Sequence, residues 1–266
     1  MIKILFIGEI MGKIGRRAVR EILPQLKNEL KPDLIIANAD NLAHGKGVSE
    51  STVKEIMQDG VIWFTNGDHA FDNLNSLNLY DSDLPLLRPA NYSSQAPGKG
   101  FAEIKLKNGH NILLISLIGR VFMSMDYDCP FMEVDKILSN LANKNLSAII
   151  IDMHAEATSE KVALKHYLDG RVSAILGTHT HIMTADSEIT DEGTGYITDV
   201  GMTGFTDGVI GIGKEGIIKT FLTQIKYPHE IHDTGKAIFN AVYFEINPKN
   251  KKTITFKPIT KFINIK

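Results

Sequence analysis

Five apolar runs in this chain end in side chains that can hold a metal ion or move a proton. Glu9 follows ILFIG, Asp40 and Asn41 follow LIIANA, and Asp68 and His69 follow IWFTNG. His154 ends AIIIDM, and His179 and His181 lie in the THTH after AILG. Carboxylates with imidazoles suit zinc, manganese or iron, and cysteine sulfur takes no part. The donors suffice for two ions sharing a bridging carboxylate. Two ions roughly 3.5–4 Å apart clamp the attacking and leaving oxygens of an in-line displacement at phosphorus. Each residue alone also has a structural reading. Glu9 could cap a helix, Asp40, Asn41 and Asp68 are turn formers, His69 could open a helix, and His154 could be a hydrogen-bonded interior histidine. THTH resists that reading: residues i and i+2 of an extended chain point the same way, so His179 and His181 would face one ion or two adjacent ones.

The elements between these residues decide whether they can meet. IKILFIG, DLIIANAD and VIWFTNGD read as strands. Between them lie the helical patterns IGRRAVREILPQLKNEL and SESTVKEIMQDG, the latter with Ser49 or Ser51 as N-cap. The middle repeats the theme. NILLISLIG, SAIIIDMH and VSAILGTH read as strands, and MEVDKILSNLANK and SEKVALKHYLDG as helices. This alternation predicts an α/β fold with parallel pairing and right-handed crossovers. After about residue 190, GTGYITDVGMTG, GIIKTFLTQIKY, KAIFNAVYFEIN and TITFKPITKF read as antiparallel strands of period two. The expectation is one domain over residues 1–266, with a parallel-rich first sheet packed on a later second sheet and helices outside. Ligands of open α/β sheets collect outside the carboxyl ends of the strands, so five strand ends can deliver their side chains to one rim.

Bulk properties narrow the class. A net charge of −2 lacks the basic footprint of a protein held on a nucleic-acid backbone. No stable nucleic-acid complex is expected, although a nucleotide substrate remains open. One cysteine, Cys129, forbids an internal disulfide and suggests a reducing compartment. The apolar run near the N-terminus spans about seven residues and is broken by Glu9, which does not suit a signal peptide. No stretch approaches the roughly 18 apolar residues of a membrane span. The expectation is a cytoplasmic protein without membrane contact; a homo-oligomer stays open.

Other motifs carry less. GEIMGK has the wrong spacing for a phosphate loop, and Ile14 stands where Ser or Thr is needed. GIGKEG, Gly211–Gly216, reads as turns, and Cys129 has no evident base. His110, His166, His229 and His232 read as solvent-facing. His44, beside the second run, could touch substrate or sit on a surface loop. Asp199 and Thr203 in TDVGMTG could orient a ligand histidine or form a plain turn.

Six blocks in order, ILFIGEIMGKIGR, IIANADNLAHGKG, TNGDHAFD, IIIDMHAEATSEK, ILGTHTHIMTAD and YITDVGMTG, resemble the YmdB-like bacterial metallophosphoesterases. These are relatives of the calcineurin-like phosphoesterases, described as 2′,3′-cyclic-nucleotide 2′-phosphodiesterases. The resemblance spans essentially the whole chain. It implies a sandwich of two mixed β-sheets flanked by α-helices, with a dimetal centre of iron or manganese, or of zinc, at the strand ends. By resemblance Glu9, Asp40, Asp68, His154, His179 and His181 would be metal ligands, with Asp40 as the bridge. Asn41 would stand in or next to that set. A hydroxide activated by the metals would attack phosphorus, and His69 would protonate the leaving oxygen. The substrate would be a 2′,3′-cyclic or 3′,5′-cyclic nucleotide. The alternatives are a broad phosphomonoesterase or protein phosphatase, and a poorly active nucleotide-binding regulator.

Three positions depart from the family pattern. Glu9 stands where Asp is usual, Asp40-Asn41 where Glu-Asn is usual, and Asp68 where Asn is usual. The first two trade a methylene in opposite directions. The third adds a negative charge. Two divalent ions, three carboxylates and one hydroxide then sum to zero, and a less positive centre is a weaker Lewis acid.

Overall fold

The computed structural model describes Met1–Lys266. The first third runs β1 (Ile2–Ile7), β2 (Glu9–Ile10), α1 (Gly12–Leu30), β3 (Leu34–Asn38), α2 (Glu50–Asp59), β4 (Trp63–Thr65) and a short α3 (Leu77–Tyr80). The middle contains β5 (Phe101–Lys105), β6 (Asn111–Ile118), α4 (Pro130–Asn140), β7 (Ala148–His154), α5 (Thr158–Leu168) and β8 (Ala174–Thr178). Then come β9 (Glu188–Ile189), β10 (Gly195–Ile197), β11 (Met202–Phe205), β12 (Gly208–Val209) and β13 (Ile212–Gly213). The last elements are α6 (Lys214–Thr223), β14 (Gly235–Ile246) and β15 (Thr253–Ile265).

The layers follow from which faces are apolar. β1, β3, β7 and β8 are buried along almost their whole length, as parallel strands covered on both faces must be. One sheet runs β2-β11-β14-β1-β3-β4, with β15 paired to β14. The other runs β5-β6-β7-β8-β10-β9. Both mix parallel and antiparallel pairs. Ile4, Phe6, Leu34 and Phe244 of the first sheet meet Ile112, Ile150 and Leu176 of the second in the central core. Val19 and Leu23 of α1 and Val53 and Ile56 of α2 cover the far face of the first sheet. Val134 and Ile137 of α4 and Leu164 and Leu168 of α5 cover the far face of the second. The result is the expected two-sheet sandwich with helices outside.

Local signals act as read in the first helices. Ser49 caps α2 in a reciprocal box with Thr52, and Gly60 ends that helix with a left-handed φ of 116°, a conformation that suits glycine. Three expectations are corrected. The late strands do not form a sheet of their own. β11, β14 and β15 complete the first sheet, and β14 lies directly beside β1. The second sheet comes from the middle of the chain, and β10 joins it parallel to β8. GIIKTFLTQIKY is no strand: α6 spans most of it. Ile217, Phe221 and Ile225 stand four apart, as do Ile218 and Leu222, which is the helical spacing. GIGKEG likewise is more than turns, since it contains β13 and the start of α6.

Candidate metal centre

The chain places Glu9, Asp40, Asp68, His69, His154, His179 and His181 at one rim, around the carboxyl ends of β1, β3, β4, β7 and β8. Three overlapping groups have ligand atoms mutually within 4.8 Å: Glu9, Asp40 and His154; Asp68, His154 and His179; and Asp40, Asp68 and His69. Asp40, Asp68 and His154 each belong to two of them, and these shared residues link the three groups into one cluster.

At one end, Glu9 is fully buried. Its Oε2 lies 3.1 Å from His181 Nε2, and its Oε1 lies 3.3 Å from His154 Nδ1. His181 Nδ1 lies 2.9 Å from the Ile210 carbonyl. That oxygen can only accept, so Nδ1 carries the proton and Nε2 faces Glu9. Asn41 Nδ2 stands 3.4 Å from the same Nε2. In the middle, Asp40 Oδ1 accepts the backbone N–H groups of Gly67 at 2.6 Å and His69 at 3.0 Å. Its Oδ2 has no donor and lies 3.6 Å from His154 Nε2. At the other end, Asp68 Oδ1 lies 2.9 Å from His154 Nε2 and 3.4 Å from His179 Nδ1.

Residues behind the cluster set its imidazoles. Thr178 Oγ1 donates to the buried Asp152 carboxylate at 2.7 Å and stands 3.0 Å from His154 Nδ1. With its proton committed to Asp152, the hydroxyl accepts from Nδ1, and Nε2 is left facing Asp68 and Asp40. Burial pushes Asp152 up to about 6 despite its bonds to Thr65, Thr178 and Asn38. Glu156 Oε2 lies 3.0 Å from His179 Nε2, which leaves Nδ1 toward Asp68. Neither Asp152 nor Glu156 stood out in the sequence. Asp152 sits inside an apolar strand, and Glu156 follows one by two residues with no spacing signal.

His69 lies at the mouth, with Nδ1 2.8 Å from Asp72 Oδ2. Asp72 therefore holds the His69 ring. THTH departs from the extended geometry expected of it. β8 stops at Thr178, and His179 and His181 have φ of 103° and 67°. The backbone turns at each histidine, so His179 faces Asp68 and His181 faces Glu9. Two further candidates are not drawn in. His44 is exposed on the loop after β3 and is absent from the cleft. Thr203 Oγ1 accepts from the Asn240 N–H at 3.3 Å, and its carbonyl accepts from Met11, which ties β11 to its neighbours. Asp199 lies behind THTH, bonded to the Thr180 N–H at 3.0 Å. Above the cluster opens a cleft of about 540 Å³, walled by Met11, Lys46, Ile210, Ile212 and His229, a volume typical of small-ligand sites. His229 thus faces the cleft as well as solvent.

The charges test whether this cluster suits a cation. Both carboxylate oxygens of Glu9 and one of Asp40 are buried without a hydrogen-bond donor, which is costly for a carboxylate. Burial raises Asp40 to about 6, aided by the Asp68 charge and opposed by His154. Burial would also raise Glu9, but His181 and His154 hold it down at about 2. Burial disfavours charge on the imidazoles, yet the carboxylates win: His154 rises to about 10 beside Asp40, Asp68 and Glu9, and His181 to about 9 beside Glu9. The carboxylates thus demand positive charge, and protons on imidazole supply it in the absence of metal. Orphaned carboxylate oxygens facing imidazole nitrogens fit the oxygen and nitrogen donors of a transition-metal pair.

The family described as YmdB-like protein matches residues 5–259. A Bacillus subtilis protein named 2′,3′-cyclic-nucleotide 2′-phosphodiesterase is 42% identical over 257 residues, covering 97% of this chain and 96% of that protein. The crystal structure of a novel phosphatase from Mycoplasma pneumoniae superposes with a TM-score of 0.92 at 33% identity, covering 99% of this chain and 94% of the other. A 5′-nucleotidase precursor from Thermus thermophilus shares the fold at a TM-score of 0.60 and 11% identity, with 99% of this chain and 54% of the other covered.

Proposed function

Because this chain belongs to the YmdB-like protein family, we propose that it is a metal-dependent phosphodiesterase acting on cyclic nucleotides, with 2′,3′-cyclic phosphates as the leading substrates. The observation that carries the reading is the set of donor-less oxygens on Glu9 and Asp40, facing His154 and His181 beneath an open cleft. Glu9, Asp40 and His181 would hold one ion; Asp40, Asp68, His154 and His179 would hold the other, with Asp40 shared. Iron or manganese suits this donor set, and zinc is also compatible. Bound ions lower the pKa of the attacking water and offset charge on the phosphoryl oxygens.

The chain's own groups do the rest. Asp40 Oδ1 ties the Gly67–His69 backbone to the cluster, which keeps His69 beside the reacting phosphate. The Asp72 carboxylate accepts the Nδ1 proton of His69 and leaves Nε2 as the nitrogen available to substrate. In its doubly protonated form His69 would pass the Nε2 proton to the departing ribose oxygen and keep the Nδ1 proton on the bond to Asp72, a role for which general acids contribute on the order of 10²–10⁴-fold. The test is product analysis on metal-loaded protein with 2′,3′-cyclic AMP, 3′,5′-cyclic AMP and p-nitrophenyl phosphate. A clear preference for the 2′,3′-cyclic substrate, lost on chelation, is expected. A preference for the monoester would favour a phosphomonoesterase.

A further inference from the structure

Behind the histidine loop lies an ion pair that neither lines the cleft nor touches the carboxylate cluster. Lys161 of α5 is 1% exposed and Asp199 is fully buried. Lys161 Nζ donates to Asp199 Oδ2 at 2.9 Å and to the Thr178 carbonyl at 2.6 Å. Asp199 Oδ2 also accepts the Thr180 N–H at 3.0 Å and the Thr180 hydroxyl at 2.8 Å, and Oδ1 accepts the Gly201 N–H at 2.8 Å. One pair therefore grips the residue before His179 and the residue between the two histidines. The far side is closed by the Met202 N–H, which donates to the His181 carbonyl at 2.9 Å.

Those two histidines need such a grip. Left-handed backbone is disfavoured for residues with a Cβ, and it persists only where surroundings over-determine it. Here it occurs twice within three residues, at His179 and His181. Stability alone is a poor reason for the pair, since a buried ion pair is often no better than a well-packed apolar one. An apolar pair, however, could not accept from the Thr180 N–H or donate to the Thr178 carbonyl. A chemical role for Lys161 is also unsupported, because its ammonium is enclosed and committed to Asp199 and Thr178.

We propose that Lys161 and Asp199 are a positioning pair. They hold THTH in its left-handed zigzag, so that His179 and His181 aim at opposite ends of the carboxylate cluster. Through the two rings they set the affinity for metal. This rests on the reading of His179 and His181 as metal ligands.

The test uses the full chain stripped of metal and titrated with Mn²⁺ against a competing chelator. Lys161→Met alone would strand a buried carboxylate, so the pair is neutralised together as Lys161→Met/Asp199→Asn. A second variant, Thr180→Val, removes one bond to Asp199 without burying any charge. The double variant is expected to bind Mn²⁺ about 10–100-fold more weakly, the usual loss on removing a partner behind metal ligands. Thr180→Val is expected to lose several-fold, and the electron paramagnetic resonance spectrum of bound Mn²⁺ should broaden in both. A double variant that folds, melts near the wild type when metal-free, and binds Mn²⁺ within twofold of it would reduce the pair to a structural role. Should the double variant not fold, Thr180→Val decides by the same twofold criterion. A wild-type chain that takes up no Mn²⁺, Fe²⁺ or Zn²⁺ would instead overturn the metal-centre reading beneath the proposal.

Discussion

Asp68 and His69 are neighbours in sequence with different surroundings. Asp68 stands 2.9 Å from His154 Nε2, inside the cluster. His69 is part-exposed and bonded to Asp72 at the mouth. His69→Ala should therefore lower kcat by about 10²–10⁴-fold while metal content by elemental analysis stays at the wild-type ratio. Loss of metal would recast His69 as a ligand. Asp68→Asn removes the third carboxylate while keeping the side chain's size. It should raise turnover, or shift the bound metal away from higher-charge forms such as a mixed-valence iron pair, because the centre becomes more positive by one unit. Turnover and metal content both matching wild type would remove any special role for the extra carboxylate. These candidates were legible because each follows an apolar run. The partners Asp72, Glu156 and Asp152 were not. Their roles depend on what folds against them, and one-dimensional spacing does not report that.

At the scale of elements, the strand ends do the positioning, and they tolerate little added bulk. A Cβ on Gly67 would come within 2.1 Å of His154 Nε2. The ring has nowhere to retreat, since Thr178 and Glu9 hold its other edge. Gly67→Ala should push His154 off its position and cost about 1–3 kcal/mol, the range for overpacking. Denaturant melts and the metal-to-protein ratio would read the two effects separately. The first helices were legible from caps and period, as Ser49 and Gly60 show. α6 was misread because a run so rich in Ile, Phe and Thr satisfies a strand's composition while its spacing is helical. α6 also buries none of its residues, and Phe221 and Leu222 are largely exposed. The usual inside–outside contrast was thus missing.

At the scale of the molecule, the two mixed sheets and flanking helices were legible, but the assignment of strands to sheets was not. Pairing β14 with β1 joins residues over two hundred positions apart, a contact no local pattern announces. The cluster also gives the whole protein a pH signature. His154 and His181 have folded pKa values near 10 and 9, above the roughly 6.5 of an unfolded histidine. Their stabilising effect is complete below about pH 6.5 and is lost as pH rises through 9 and 10. Melting of metal-stripped protein should therefore fall from pH 6.5 to pH 10. Protein loaded with metal should hold its Tm over the same range, because ions replace the protons. Parallel slopes with and without metal would contradict this. The place of β14 also bears on how the protein is made. β1 leaves the ribosome long before its antiparallel neighbour, with more than two hundred residues between them. A chain cut short before residue 235 carries every proposed ligand but leaves one edge of β1, the strand that leads into Glu9, unpaired. Such a fragment should be handled by the cell as an unfinished polypeptide, so enzyme activity would appear only once β14 is in place beside β1.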